Sequence, residues 1–213
     1  MNSSPQALTI LSIDTSLPIL SVAITRGDQT IGSVALEGKL SRNEKLLPAV
    51  DWLLRESDTD RSAIDLLAVT RGPGSFTGVR IGLATVQGLA LSLNRPVCAM
   101  STHAAIAEAV GVEAVLVVAE AGRGEFYATA YRGLEELFAP RLLSASQLER
   151  AASDVPLRIV VEEWMASGNV ALHAARRAWR IASVGLLEGY ADLTPIYVRL
   201  AEAEVRLEQS RNG

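Results

Sequence analysis

The segment Thr70–Gly82, T-R-G-P-G-S-F-T-G-V-R-I-G, gathers residues suited to holding a ligand, and five of its thirteen residues are Gly or Pro. The dipeptide Pro73-Gly74 predicts a type II turn with φ > 0 at the glycine. Ser75 or Thr77 is placed to cap a helix. Backbone amides around Phe76, Thr77 and Gly78, flanked by Arg71 and Arg80, form an anion-binding pattern for a phosphate or carboxylate. The same spelling also fits a tight strand-to-helix connection in which Gly72, Gly74 and Gly78 are small for packing. The structural role is the one expected to dominate. No Gly-Lys-Ser/Thr follows, so the segment is not a Walker loop.

Other chemistry-bearing residues are sparse. Asp14 and Glu120 each end an apolar run. His103 and His173 are the two histidines, 70 residues apart, and neither belongs to a metal-ligand pair. His103 is expected to pack near a helix start and His173 to sit on a helix surface. Cys98, the single cysteine, lies in the apolar run Val97–Met100, which predicts a core thiol rather than a nucleophile. Gly74-Ser75-Phe76-Thr77-Gly78 has the wrong spacing for a nucleophile elbow. Trp52, Trp164 and Trp179 read as core or rim packing, since no basic strip interleaves them.

These residues must be positioned by an alternation of strands and helices. Ala7–Ile13 reads as a buried strand, followed by Leu20–Thr25 and Thr30–Leu36 around the turn Arg26–Gln29. A helix is expected over Asn43–Glu56, striped by Leu46, Leu47, Val50, Leu53 and Leu54. Leu66–Thr70 is a strand, Gly78–Ser92 a helix and Val97–Met100 a strand, and Ser101 or Thr102 caps a helix through Val110. Strands then recur at Ala114–Ala119, Gly124–Tyr131 and Leu157–Val161, with Leu134–Ala139 pairing. A helix over Asn169–Leu187 presents Leu172, Ala175, Trp179, Ala182 and Leu186.

A shift of 106 residues superposes the halves: Asp14 falls on Glu120, Leu20–Thr25 on Phe126–Tyr131, and Arg26-Gly27 on Arg132-Gly133. That predicts two related α/β lobes, residues 1–110 and 111–213, each a mixed sheet with flanking helices. The 213 residues, 49% hydrophobic, suffice for a large core, and one cysteine excludes a disulfide framework. No run of 18 apolar residues and no basic leader are seen, so a cytoplasmic protein away from membranes is expected. The net charge of −4 argues against tight direct binding of RNA.

Arg71–Ala90, RGPGSFTGVRIGLATVQGLA, resembles the signature of the TsaB (YeaZ) family of tRNA threonylcarbamoyladenosine biosynthesis proteins. Ile10–Ser16, Ser41–Leu54 and Ala119–Tyr131 resemble further family segments. Asn43 and Glu44 stand in the family's histidine region, and Glu120 replaces its aspartate. Thr194–Glu204 is near the family's Pro-x-Tyr-x-Arg ending. The resemblance implies an actin/Hsp70/sugar-kinase-like (ASKHA) fold of two duplicated lobes. It implies a non-catalytic subunit, homodimeric in isolation, that works with a TsaD-like catalytic subunit and a TsaE-like ATPase. Transfer RNA is then met only through the complex.

In ATP-using members of that fold, glycine-rich hairpin tips hold phosphates. Here no glycine lies between Asp14 and Arg26, so Asp14, Thr15, Glu120, Gly122 and Arg123 mark at most a vestigial nucleotide cleft. No metal and no tightly bound cofactor are expected. ATP or ADP is expected only at a composite site in the complex. The second helix is apolar on more than one side, which predicts burial on more than one side. Either it is clamped between its sheet and a neighbour, or it forms a subunit interface. The interface reading takes Leu46, Leu47, Val50 and Leu54 from the first helix. From the second it takes Gly78, Ile81, Gly82, Thr85 and Leu89.

Overall fold

The opening apolar run becomes β1 (Thr9–Asp14), buried along its whole length. It pairs antiparallel with β2 (Leu20–Arg26) and parallel with β4 (Leu66–Thr70). Adding β3 (Gln29–Leu36) and β5 (Val97–Met100) gives the order β3-β2-β1-β4-β5. A second sheet runs β8-β7-β6-β9, from β6 (Ala114–Gly122), β7 (Glu125–Arg132), β8 (Glu135–Ser144) and β9 (Arg158–Val160). In both sheets the first strand of a meander pairs parallel with a later strand, so the duplication read from the sequence is a duplication of topology. The computed structural model describes residues 7–37, 42–153, 155, 158–161, 169–187 and 192–198. Ser41, Leu157, Trp164 and the chain beyond Val198 lie outside them.

Alternation along the strands sorts the core into three layers. Leu11, Ile13, Val22 and Val69 pack under α1 (Arg42–Glu56) and α2 (Phe76–Leu93). Ile10, Ala68, Val115, Val117 and Tyr131 face α3 (Thr102–Val110) and α5 (Val170–Ser183). Leu116, Val118, Ala128 and Leu143 meet Leu148 of α4 (Ala145–Ala152). The middle layer draws on both sheets, so a division near residue 110 separates the sheets while α3 and α5 share one core between them.

Two expectations are corrected. The last helix stops at Ser183 rather than Leu187, and Gly185 follows with φ 73°. Its buried face is Val170, Ala171, Ala174, Ala175 and Ala178, whereas Leu172 and Trp179 are only half-buried and Leu186 is exposed. A helix held between two sheets turns its smallest side chains inward, because alanine permits close approach. Arg177 is buried there with its guanidinium donating to the carbonyls of Gly133 and Leu134. By length and composition α2 is apolar enough to cross a membrane, with mean hydropathy 1.3 over 18 residues. Its residues Gly78, Val79, Gly82, Leu83 and Val86 are buried in this fold.

Candidate functional site

The glycine-rich loop leaves β4 and folds over the tip of the first hairpin. Ser75 caps α2, its Oγ accepting from the Gly78 amide at 3.2 Å. The Ser75 amide donates to the Ser16 carbonyl at 2.7 Å, and the Thr15 hydroxyl donates to the Gly78 carbonyl at 2.6 Å. A Cβ at Gly74 would lie 2.3 Å from the Ser16 oxygen, and one at Gly78 would lie 2.0 Å from the Thr15 oxygen. The glycines are therefore the surface into which Thr15 and Ser16 dock. The type II turn is corrected: the Gly72–Pro73 peptide is cis, and the firmly positive φ belongs to Gly72, at 97°. Gly74 is close to extended, and the Ser16 carbonyl is what excludes a side chain there.

Asp14 is fully buried beneath this contact. Its Oδ1 accepts from the Ser16 amide at 3.2 Å, from the Ser16 hydroxyl at 2.6 Å, and from the Thr70 hydroxyl. Thr102 donates to the Ser16 hydroxyl at 2.8 Å, which ties α3 into the network. A carboxylate so enclosed orders the loop and faces no solvent.

The loop's donors are largely committed inside the chain. Arg71 turns to Asp192 at 2.9 Å and to the Thr194 carbonyl at 3.2 Å. Arg80 donates to the Tyr197 hydroxyl at 2.8 Å. Asp192 is held below the usual carboxylate range by the Thr194 hydroxyl and amide, then by Arg71. Both arginines thus fasten the segment 192–198 across the loop. The second hairpin tip differs. Gly122 pairs with Glu125 around Arg123 (φ 58°) and Gly124 (φ 73°), a two-residue turn of the type I′ class that is exposed to solvent. The candidate nucleotide residues are therefore split between a sealed tip carrying Asp14 and Thr15 and an open one carrying Glu120, Gly122 and Arg123. At the sealed tip Thr15 and Ser16 are each 1% exposed.

The helical layer over the first sheet divides the expected interface residues. Leu46, Val50 and Leu54 pack on the chain's own core, which corrects the assignment of Leu46 to a partner surface, while Val50 and Leu54 also line the groove between α1 and α2. Gly78 and Gly82 are corrected likewise, since a Cβ at Gly82 would lie 2.5 Å from the Thr15 hydroxyl. Ile81, Thr85 and Leu89 remain half-buried, and Leu47 is 55% exposed. Trp52, 45% exposed, and Leu91, 79% exposed, are also open to solvent on these helices. Between α1 and α2 runs a groove of about 650 Å³ lined by Leu47, Val50, Leu54, Leu89 and Leu93. Drawing the helix stripe through the leucines places Trp52 at the core or rim and hides its outward position. Tyr197 is visible in the sequence only as part of the ending motif, although Phe76 and Arg80, one helical turn apart, signal a stacked pair.

Burial disarms the other candidates. The Cys98 thiol is pushed up to about 11 by burial, so it is no thiolate at neutral pH. His103, fully enclosed, is pushed down to about 3, and its Nδ1 lies 2.9 Å from the Thr129 hydroxyl. Burial and then Arg176 lower His173 to about 4; it is half-buried rather than on the surface. Among the described residues no group of three His, Cys, Asp or Glu side chains is placed to hold a metal ion.

Comparison with known proteins decides the family. The chain is 32% identical to the tRNA threonylcarbamoyladenosine biosynthesis protein TsaB of Bacillus subtilis, over 96% of this chain and all of that protein. The chain belongs to the TsaB family. TsaB of Haemophilus influenzae is 38% identical over 57% of this chain and 53% of its own length. Residues 39–179 match the wider family described as TsaD, tRNA N6-adenosine threonylcarbamoyltransferase. The solved structure of YeaZ from Pseudomonas aeruginosa superposes with a TM-score of 0.70 at 27% identity, covering 89% of this chain and 99% of that one. The ASKHA-like architecture implied by the family resemblance is the one shared with this YeaZ structure.

Proposed function

We propose that this TsaB chain is a non-catalytic scaffold and activator subunit in the formation of threonylcarbamoyladenosine at the adenosine 3′ of the anticodon. The tRNAs concerned read codons beginning with A. One observation carries the reading: Leu47 of α1, an exposed leucine, lines an open groove between α1 and α2, and Trp52 and Leu91 of the same two helices are exposed as well. Exposed apolar surface of this kind marks a protein interface. The partner is a TsaD-like catalytic subunit, joined by a TsaE-like ATPase, and in isolation a second copy takes the same face. RNA is met through the complex, in a cytoplasmic setting. The sealed first tip supports a chain that holds no nucleotide alone; ATP or ADP would bind only at a composite site.

The test is a reconstituted modification assay paired with binding. Leu47→Asp and Leu91→Asp should weaken binding to the TsaD-like subunit and lower modification in parallel, while the isolated chain melts as the parent does. Unchanged binding by both variants would remove this face from the interface. Saturable micromolar binding of ATP and magnesium by the isolated chain would favour an ATPase or kinase instead.

A further inference from the structure

Phe76, Arg80 and Tyr197 form a stack at the start of α2. The Arg80 guanidinium carbon lies 3.8 Å from the Phe76 ring centroid and 5.7 Å from that of Tyr197. The two rings are 4.8 Å apart at 30°. Arg80 Nε donates to the Tyr197 hydroxyl at 2.8 Å. Phe76 and Arg80 come from one turn of α2, while Tyr197 is delivered by the segment 192–198. That segment is anchored by the Arg71–Asp192 ion pair at 2.9 Å and by the Ile196 amide on the Arg71 carbonyl at 2.7 Å. Leu193 packs on the core beneath α2.

This arrangement fixes the guanidinium but uses only its Nε–H. Arg80 is exposed, and among the described residues no acceptor takes its terminal nitrogens. A groove of about 360 Å³ beside it is lined by Asn43 at the start of α1 and by Ile81 and Thr85 on α2. A planar fork already immobilised by stacking loses little freedom on donating two parallel hydrogen bonds to a carboxylate. The adjacent helix N-terminus adds positive potential. Charged groups at the margin of an apolar contact supply register and steering.

We propose that Arg80 receives an Asp or Glu side chain of the protein docked on the α1–α2 face, and that the 192–198 strap, through Tyr197, holds Arg80 ready for it. This rests on the reading of that face as a partner surface. A protein carboxylate is favoured over an RNA phosphate because a phosphate-tracking surface needs several cations in a row. Here one fork stands beside apolar side chains on a chain of net charge −4.

The experiment measures the dissociation constant of the full chain for its TsaD-like partner at several salt concentrations. Arg80→Glu should weaken binding by about tenfold or more and flatten its salt dependence, with binding measured well below the melting temperature of the isolated variant. Arg80→Lys keeps the charge but loses the fork, and Tyr197→Phe keeps the ring but loses the acceptor. Each should weaken binding several-fold. Reversing the correct partner carboxylate should restore affinity to Arg80→Glu. Parent affinity for Arg80→Glu and Arg80→Lys, with Leu47→Asp still impaired, overturns the Arg80 proposal and leaves the face reading standing. Parent affinity for Leu47→Asp as well sinks the face reading itself. A loss in Arg80→Glu that vanishes when Glu202→Gln and Glu204→Gln are added would assign the fork to the chain's own tail and overturn the proposal. Loss of RNA binding by the assembled complex with protein affinity intact would overturn it in favour of a phosphate.

Discussion

The β1–β2 and β6–β7 tips occupy equivalent places in the duplicated topology, yet their surroundings are opposite. At the β1–β2 tip, Asp14, Thr15 and Ser16 are buried, and the glycine-rich loop of α2 lies against their backbone. At the β6–β7 tip, a Cβ added at Gly122 or Gly124 would meet nothing within 4 Å. Glycine at the first place is demanded by a neighbour, and at the second by the backbone itself, through φ of 76° and 73°. Duplicated strands thus do not imply duplicated sites. One tip has become a packing joint, and the other has stayed a free turn.

Substitutions at the two tips test that contrast. Gly78→Val drives a branched side chain onto the Thr15 carbonyl, 2.0 Å from its Cβ. It should cost about 3 kcal/mol or more, the upper end for overpacking, seen as a fall of roughly 6–12 °C in melting temperature. Gly82→Leu should act in the same direction through Thr15, in the isolated chain and before any partner is added. Normal melting of both variants would show that the joint is loose.

Asp14→Ala strands the Ser16 amide, the Ser16 hydroxyl and the Thr70 hydroxyl in a buried site, with an expected loss of about 2–4 kcal/mol by denaturant titration. Its positional counterpart, Glu120→Ala, is on the exposed tip and should stay within about 0.5 kcal/mol. Equal effects would erase the contrast.

His103 joins the halves, since α3 presents it to Thr129 of β7. Its folded-state pKa of about 3 lies below the ordinary 6.5, so the unfolded chain binds more protons in acid. Stability should be full above pH 6.5 and fall as pH drops, by up to about 1.4 kcal/mol per unit between pH 6 and 4. His173, lowered to about 4, adds in the same direction. A flat dependence of the denaturation midpoint over that range would contradict the enclosure of both rings. A smaller effect than at Gly78 is expected at the open turn, where Gly124→Ala meets no atoms and should cost about 1 kcal/mol for its left-handed backbone.

Much of this architecture was legible in residue order because its signals are local. The hairpins followed from apolar runs around Arg-Gly turns, and the burial of Cys98 from its apolar neighbours, while hydroxyls ahead of helical stripes narrowed the caps to Ser75 or Thr77 and Ser101 or Thr102, of which the fold uses Ser75 and Ser101. The 106-residue shift announced two sheets of matching order. What local signals could not settle is which neighbour meets a given face. Gly78 and Gly82 declared that something comes close, but a missing side chain does not say whether the visitor is a partner or Thr15. The apolar residues of α1 form one stripe in sequence, and only packing separated the inward Leu46 and Val50 from the outward Leu47. The strap was less visible still: Arg71 meets Asp192 across 121 residues and Arg80 meets Tyr197 across 117. Sequence by itself determined the strands, the candidate caps and the duplication, because those depend on residues within a few positions of each other or on a repeated order of such groups. Tertiary structure alone decided which tip is sealed and which arginine is held out to solvent. Both depend on chain closure, whose entropic cost changes so slowly with loop length that the residues on either side do not mark which distant segment will arrive.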